Sequence, residues 1–375
     1  MRTDDVDHRA VGGPDDAKCS PHGGQAEGGG KGGTMIPRVA IHRMEGSFSD
    51  RWIEYCAEHG VAHEVVNCYD SGILGRLASA NALLWHWSHG IAADLLMARS
   101  IIRSAETLGL KVFPSTATCW HFDDKVAQKY LLEAVGAPLV PAHVFFDLET
   151  AFRWIEQTAF PKVFKLRRGA GSMNVRLVRS AAEARRLARR AFGRGFKAAG
   201  GYFVDAPTRL RKVRRRGDLL GALKRLPRSL VHGYRTNLLI GRERGYVYFQ
   251  DFVADNTFDT RITVIGNRAF GFTRNVRPRD FRASGSGSID YDLKRIDPQC
   301  VRIAFDTAAR IGSQSTAFDF VRSAGGQPQI VEISYGYLDS AVYNCAGHWD
   351  SDLRWHEGHV WPEDAILEDL LAELR

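Results

Sequence analysis

The 375-residue sequence predicts an α/β domain with a parallel sheet, followed by an α+β region rich in antiparallel strands. Between residues 37 and about 122, short apolar runs alternate with helical patterns, as the strands and helices around a parallel sheet do. Beyond residue 242, strand-like runs follow one another directly, and Gly266-Asn267 between two of them is typical of a hairpin turn. The length allows two or three domains, because single cores seldom grow past about 250 residues.

The first strand is VAIH at 39–42, and 49–60 is a helix with Ser49 as its N-cap and Gly60 just past its end. The other elements of this first region are predicted at 63–68, 82–87, 91–109 and 111–115. Later helices are predicted at 123–138, 148–157, 181–192 and 298–312. Later strands are predicted at 143–146, 245–253, 259–266, 269–276, 318–322 and 329–334, with a strand–turn–strand unit at 161–178.

The composition is that of a soluble globular protein, with 44% hydrophobic and 25% charged residues. No apolar run reaches the roughly 18 residues of a membrane span, and no apolar signal-peptide core is found, so a cytoplasmic protein is expected. The six cysteines form no C-x-x-C pair, which favours reduced thiols over a zinc ribbon or disulfide scaffold. Residues 1–34 are Gly-rich and nearly without apolar side chains, so we expect a disordered tail, with Met35 as an alternative start.

The positive charge is concentrated in one segment. Residues 185–228 contain 15 lysines and arginines and only two acids, Asp205 and Asp218, whereas the whole chain has a net charge of +8. The rest of the chain is therefore acidic overall, which argues against a specific nucleic-acid-binding surface. The segment is either a solvated helical face or a docking surface for an anionic acceptor, such as a saccharide, a nucleotide-linked precursor or a membrane surface.

A glycine-containing turn joins the two strands of 161–178, which read PKVFKLRRGAGSMNVRLV. The turn is not a P-loop, because Lys165 precedes the glycines and a strand follows them. It is not a dinucleotide fingerprint either, because Asn174 occupies the place of the last glycine. Taken alone, it is a plain hairpin tip or a phosphate-binding loop.

Charged residues interrupt apolar strand patterns farther along the chain. Asp319 in FDFVR and Glu332 in IVEIS lie within apolar runs, where a carboxylate requires a cation or a metal ion. Two carboxylates that face each other on neighbouring strands suit Mg²⁺, and the alternative is ion pairing with Arg322 or another cation. Arg261, Arg274 and Arg282 lie on successive strands and a loop, and arginines on the inner face of a sheet require anions such as phosphate.

The order of these parts resembles the ATP-grasp superfamily, and within it the ribosomal-protein glutamate ligases and D-alanine–D-alanine ligase. The resemblance spans roughly 37–340 and rests on a lysine at a helix start, a strand lysine before the glycine loop, Q-D-F-V at 250–253, D-x-R at 259–261, D-F-R at 280–282, and the two strand carboxylates. It implies a parallel-sheet pre-ATP-grasp domain at 35–122 and a two-lobed ATP-grasp fold. The small lobe would span 123–253, including the basic insert 185–228, and the large lobe 254–375 would hold the metal site.

The resemblance also implies roles for individual residues. The expected nucleotide-binding residues, which contact the phosphates, close over them or meet the adenine, are Lys125, Lys165, Gly169, Gly171, Ser172, Gln250, Asp251, Phe252 and Val253. Arg261 and Arg282 are expected to contact phosphate, with Arg274 nearby. The expected metal ligands are Asp319, Glu332 and Ser334, although the family normally has Asn where this chain has Ser334.

The implied activity is the ligation of a small-molecule carboxylate to an amine through an acyl phosphate, with ATP and Mg²⁺ or Mn²⁺. A cell-envelope or secondary-metabolite pathway is expected from the same resemblance. Two other classes remain open, namely a kinase-type phosphotransferase and a non-catalytic protein that binds a nucleotide or polyanion.

Overall fold

The computed structural model of the chain describes residues 37–169, 174–197, 241–277, 280–283 and 287–375. The expected disordered tail at 1–34 lies outside these ranges, as do Gly171, Ser172 and most of the basic insert. Within the described ranges, no helix combines the length and the apolar character that crossing a membrane requires.

The N-terminal region is a four-stranded parallel sheet, as the alternating sequence pattern predicts. Its strands are β1 (Val39–His42), β2 (His63–Val66), β3 (Ala82–Leu84) and β4 (Lys111–Phe113), in the order β2-β1-β3-β4. The helices of this region are α1 (Phe48–Glu58), α2 (Ile73–Leu77), α3 (Ala92–Thr107) and α4 (Thr116–Cys119). The short helices α2 and α4 were not predicted, because four or five residues carry too little periodicity to reveal them.

Helix α1 begins before the predicted N-cap. Its N-cap is Ser47, whose hydroxyl accepts a hydrogen bond from Ser49 N at 3.3 Å. The prediction of Ser49 as the cap is wrong, because its buried hydroxyl instead donates to the Met44 carbonyl at 3.0 Å. Gly60 follows the helix with a φ of +65°, as predicted.

The middle of the chain forms a second, antiparallel sheet. Its strands are β5 (Ala142–Phe145), β6 (Lys162–Lys165), β7 (Val175–Val178) and β10 (Val247–Asp251). A separate two-stranded sheet consists of β8 (Phe196–Lys197) and β9 (Arg242–Glu243). The strand order is β5-β10-β6-β7, so the predicted strand–turn–strand unit is an antiparallel pair. The helices are α5 (Lys125–Ala134), α6 (Leu148–Gln157) and α7 (Ala181–Phe192), and side chains of α6 and α7 share one apolar core with the sheet.

The C-terminal region contains a third, antiparallel sheet. Its strands are β11 (Phe258–Ile265), β12 (Arg268–Asn275), β13 (Ile289–Asp290), β14 (Ser315–Arg322), β15 (Pro328–Ser334), β16 (Gly347–Trp349) and β17 (Trp355–Glu357). The order is β15-β14-β11-β12-β16-β17, with β13 beside β12. Helices α8 (Pro298–Ile311), α9 (Asp339–Tyr343) and α10 (Pro362–Ala372) belong to this region. The hairpin at Gly266-Asn267 is present, whereas β16, β17, α9 and α10 were not predicted.

The second and third sheets meet along β10 and β15. The backbone of Leu139 pairs with Ile330 in an isolated parallel bridge, and Gln250 Nε2 donates to the carbonyl of Val331 at 3.4 Å. A cleft with a volume of about 150 Å³ lies between β6 and β10 on one side and β14 and β15 on the other. This cleft is where the predicted site residues converge.

Candidate active site

Most of the sequence-predicted site residues line the cleft. Those that do so are Lys165, Gly169, Gln250, Asp251, Phe252, Val253, Arg282, Asp319 and Glu332. In the sequence they span more than 160 residues, from Lys165 to Glu332, and the packing of two sheets against each other brings them together. Lys125 joins this set through Glu332, and Arg261 and Arg274 join it through Asp319.

Lys125 is the first residue of α5 and is held on both sides. The side chain of Asp124 caps the helix by accepting hydrogen bonds from the backbone amides of Val126 and Ala127, which fixes where the helix starts. Lys125 Nζ donates to the Gly169 carbonyl at 2.8 Å and pairs with Glu332 Oε1 at 3.0 Å. Burial acts to lower the pKa of Lys125, but Glu332 and Asp123 outweigh it and raise the pKa above its usual value. The lysine therefore carries its charge at neutral pH.

Lys165 lies on β6 and has no such partners. Its side chain is only 4% exposed, and among the described residues no hydrogen bond or ion pair within contact distance reaches its ammonium group. Burial lowers the pKa of Lys165 to about 8, because the attraction of Glu332 and Asp319, opposed by the repulsion of Lys125, does not make up for the loss of water. A buried cation without a partner in the protein is costly, so this position suits an anion from a ligand.

The start of α5 also holds the stem of the glycine loop. Gly169 N donates to Asp123 Oδ1 at 2.8 Å, and Lys125 N donates to the Arg167 carbonyl at 3.0 Å. Gly169 has a φ of +124°, a conformation that side chains disfavour. The role of Asp123 was not predicted from the sequence. Its position two residues before Lys125 is the one feature of the sequence that could have indicated it.

Asp319 and Glu332 face each other across β14 and β15, as predicted. Asp319 accepts two hydrogen bonds from Arg261, at 2.7 and 2.8 Å, and its Oδ2 lies 2.8 Å from Arg274 Nη2. Arg274 also forms a two-point contact with Asp259, at 2.8 and 2.6 Å. Burial acts to raise the pKa of Asp319, but the two arginines hold it well below its usual range. Asp319 is therefore ion-paired, as the alternative interpretation predicted, but with Arg261 and Arg274 and not with Arg322, which pairs with Asp297.

The same carboxylates also fit a magnesium site that a nucleotide would complete. Mg²⁺ is commonly bound by one or two protein carboxylates, with water and phosphate oxygens as its other ligands. Asp319 remains ionised and lines the cleft beside Glu332, whose side chain is 33% exposed. Ser334 is placed less favourably, because its hydroxyl donates to the Gly336 carbonyl at 2.8 Å and accepts from Gly336 N at 3.2 Å. Two carboxylates, rather than three protein ligands, are thus directed to this position.

The predicted hinge and the third arginine lie at the cleft as well. Asp251 pairs with Lys162 at 2.6 Å, and the ring of Phe252 meets the ring of Phe281 edge to face, with 5.8 Å between centroids. Arg282 lines the cleft and forms a two-point contact with Asp280, at 2.9 and 2.8 Å. Arg282 therefore differs from Arg261 and Arg274 in its partner, because it contacts Asp280 whereas the other two contact Asp319.

A second cavity, which the sequence did not reveal, adjoins the cleft. It has a volume of about 320 Å³ and shares Asp319 and Glu332 with the cleft. Its remaining lining comes from the third sheet, from Gly287 and Ile289, and from the segment that leads into α9. The cavity escaped prediction because α9 is short and because residues of six separate segments enclose it.

The three-region architecture is that of the ATP-grasp fold. Solved structures of ATP-grasp ligases match the chain along most of its length, and this confirms the fold that the sequence motifs suggest. No protein-family model and no curated protein sequence matches the chain.

Three of these structures illustrate the likeness. The D-cycloserine synthetase DcsG is 15% identical, with a TM-score of 0.55, over 89% of this chain and 99% of that one. A RimK domain ATP-grasp protein from Sphaerobacter thermophilus DSM 20745 is 16% identical, with a TM-score of 0.51 over 89% and 99%. The ATP-grasp ligase PsnB, complexed with a minimal precursor, Mg and ADP, is 13% identical, with a TM-score of 0.50 over 90% and 98%. The structural similarity establishes a shared fold, and at identities this low it establishes the fold alone.

Proposed function

We propose that the chain is an ATP- and Mg²⁺-dependent ligase that joins a carboxylate to an amine through an acyl phosphate. The small lobe would be 123–253 and the large lobe 254–375, with 35–122 as the preceding domain. The fold is that of ATP-grasp ligases, one of which, PsnB, was crystallised with Mg and ADP. The assignment to this chain rests on the cleft itself.

The observation that carries the proposal is the unpaired ammonium group of Lys165. Lys165 is as deeply buried as Lys125, yet among the described residues no carboxylate lies within ion-pair distance of it, and Glu332 and Asp319 only partly offset its desolvation. A triphosphate would supply that anion and would remove the desolvation cost that lowers the lysine pKa. ATP binding therefore satisfies a group that the protein leaves unsatisfied.

The other residues fit roles around the same phosphates. Lys125 and Arg282 would stabilise negative charge on the transferred phosphoryl group, since such transfer is catalysed mainly by positioning and electrostatics. Asp319 and Glu332 would hold Mg²⁺, which supplies positive charge to the phosphate oxygens when bound. The glycine loop, fixed at Gly169, would cover the phosphates and exclude water, which protects an acyl phosphate from hydrolysis.

The ligation itself requires no nucleophilic side chain. The substrate carboxylate attacks the terminal phosphorus of ATP, ADP leaves, and the acyl phosphate forms. The amine then attacks the acyl carbon, and phosphate leaves as the amide bond forms and the amine loses a proton. The protein's contribution is to hold the three reactants together and to neutralise charge.

Calorimetric titration of ATP, with and without Mg²⁺, tests the nucleotide site. We expect Lys165→Met to weaken Mg-ATP binding about 10- to 100-fold, because a hydrogen bond to a charged group is lost. Glu332→Gln should remove most of the affinity that Mg²⁺ adds. The matched control is Lys111→Ala, which removes a half-exposed lysine paired with Glu373 and should bind Mg-ATP like the wild type. Absence of ATP binding, or equal binding by all variants, contradicts the proposal.

Product analysis separates the ligase from the two other classes. Hydroxylamine intercepts an acyl phosphate as a hydroxamate, so a ligase supplied with its carboxylate, Mg-ATP and hydroxylamine yields a hydroxamate and ADP. A kinase-type enzyme instead yields a stable phosphorylated product without any amine. A protein that binds ATP and produces neither, over a broad set of carboxylates, belongs to the non-catalytic class.

A further inference from the structure

The second cavity has a charged end and an uncharged end. Along its floor, Phe272, Arg261, Asp319 and Glu332 stand side by side on β12, β11, β14 and β15, as the strand registers place them. The next row of the floor is formed by Thr263, Ala317 and Ser334, which are small and uncharged.

The opposite wall is apolar. It is formed by the segment that leads into α9 and by the first turns of that helix, with Leu338, Ala341 and Val342 facing the cavity. Ala341 and Val342 are buried, whereas Leu338 is 60% exposed. A leucine so open to water beside a cavity is an apolar surface that a ligand can cover, and covering it favours binding.

The charges at the inner end cancel one another. The cations that line the cavity, Arg261 and Arg274, are both ion-paired with Asp319, and Arg274 is also paired with Asp259. Glu332 is paired with Lys125 from the side of the cleft. Among the described lining residues, no cation is left without a carboxylate partner, so the cavity offers little to a second phosphate or carboxylate on a substrate.

We propose that this cavity binds the carboxylate substrate of the ligase and selects one whose body is uncharged and apolar. The reacting carboxylate lies at the edge that the cavity shares with the cleft, where Mg²⁺ held by Asp319 and Glu332 would offset their negative charge, and the apolar body lies against Leu338, Ala341 and Val342. This selection rests on the proposed function, because it assigns the cavity to the substrate of that reaction. It disfavours sugar phosphates, nucleotide-linked precursors and di- or tricarboxylates.

Direct binding of small probes, in excess Mg²⁺ and without ATP, tests the selection. L-leucine, L-phenylalanine and octanoate represent apolar bodies, and L-aspartate, citrate and glucose 6-phosphate represent charged ones. We expect calorimetric Kd values at least tenfold lower for the best apolar probe than for any charged probe. A charged probe that binds as well, or no binding by any apolar probe, overturns the proposal. The ATP titration decides the nucleotide site separately, so the two failures are distinguishable.

A variant at the mouth of the cavity places the binding there. Leu338→Ala should raise the Kd of the best apolar probe about five- to tenfold, since it removes apolar surface that the probe covers. Leu108→Ala is the matched control, because Leu108 is 51% exposed in the N-terminal region and lines neither cavity. Both sites are exposed enough for the fold to tolerate alanine. Equal effects of the two substitutions, or none at Leu338, overturn the placement.

Discussion

Lys125 and Lys165 approach the same cleft, and each is only 4% exposed, yet the protein treats them differently. Lys125 has a carboxylate and a carbonyl within 3.0 Å, whereas Lys165 has neither among the described residues. The pKa of Lys125 is raised and that of Lys165 is lowered to about 8. Pairing offsets the desolvation cost of a buried cation, whereas a buried cation that is left unpaired lowers stability and favours an anionic ligand.

The arginines extend the same contrast to the opposite wall. Arg261 and Arg274 are bound to Asp319 and Asp259 in one buried network, so this wall is compensated in the absence of any ligand. The wall that carries Lys165 is not. Substitutions on the compensated wall should therefore mainly affect stability, and those at Lys165 should mainly affect binding.

The largest effect on the free energy of unfolding is expected for Asp319→Ala. It leaves Arg261 and Arg274 buried with one carboxylate, Asp259, between them, and breaking a buried ion pair typically costs about 3–5 kcal/mol. The free energy of unfolding, measured with urea and no nucleotide, should fall by that amount. Glu149→Ala is the control, because it breaks an exposed pair with Arg153 and should cost less than about 0.5 kcal/mol. Similar losses in the two variants would mean that the network does not stabilise the fold.

Substitution of Lys125 or Lys165 by methionine should have intermediate effects on the free energy of unfolding, and the two effects should have opposite signs. Lys125→Met should lower the free energy of unfolding by about 2 kcal/mol, since Glu332 and the Gly169 carbonyl lose a charged hydrogen-bond donor. Lys165→Met should raise it by about 1–3 kcal/mol, because the desolvation of an unpaired charge disappears. Urea unfolding of both variants without nucleotide measures this. A change of the same sign in both would remove the distinction between them.

The sequence predicted the fold well where the pattern was local. The runs around Asp319 and Glu332 identified two strands, and their pairing in antiparallel register places the two carboxylates opposite each other. The ordered motifs identified the ATP-grasp fold although identities to the solved structures are 13–16%. Helix starts were less secure, because Ser47 and Ser49 both suit an N-cap and only the surrounding packing decides between them.

The partners of the charged residues could not be predicted in the same way. Asp319 meets Arg261 and Arg274 because β14 lies beside β11, and β11 beside β12, and this strand order is a property of the whole sheet. Asp123 contacts the glycine loop through a tertiary contact spanning 46 residues, which no local pattern encodes. The second cavity likewise depends on where α9 packs. The sequence thus revealed which residues are charged, and the fold decides which of them remain uncompensated.

The smallest effects, on Mg-ATP affinity and on the free energy of unfolding, are expected when the pH is changed. With its pKa near 8, Lys165 of the free protein loses its proton between pH 7 and 9. Because the neutral amine attracts phosphate less than the ammonium group does, the affinity for Mg-ATP should fall about tenfold over that range. The stability of the free protein should change in the other direction. Between pH 8 and the usual lysine pKa of 10.5, the unfolded chain binds more protons than the folded one, so the free energy of unfolding gains a contribution that rises with pH. Titrations at pH 7, 8 and 9 measure the affinity, and Lys165→Arg, which stays charged, should flatten the profile. A wild-type affinity that is constant over this range would show that the lysine remains protonated in the free cleft, and the contrast with Lys125 would then rest on geometry alone.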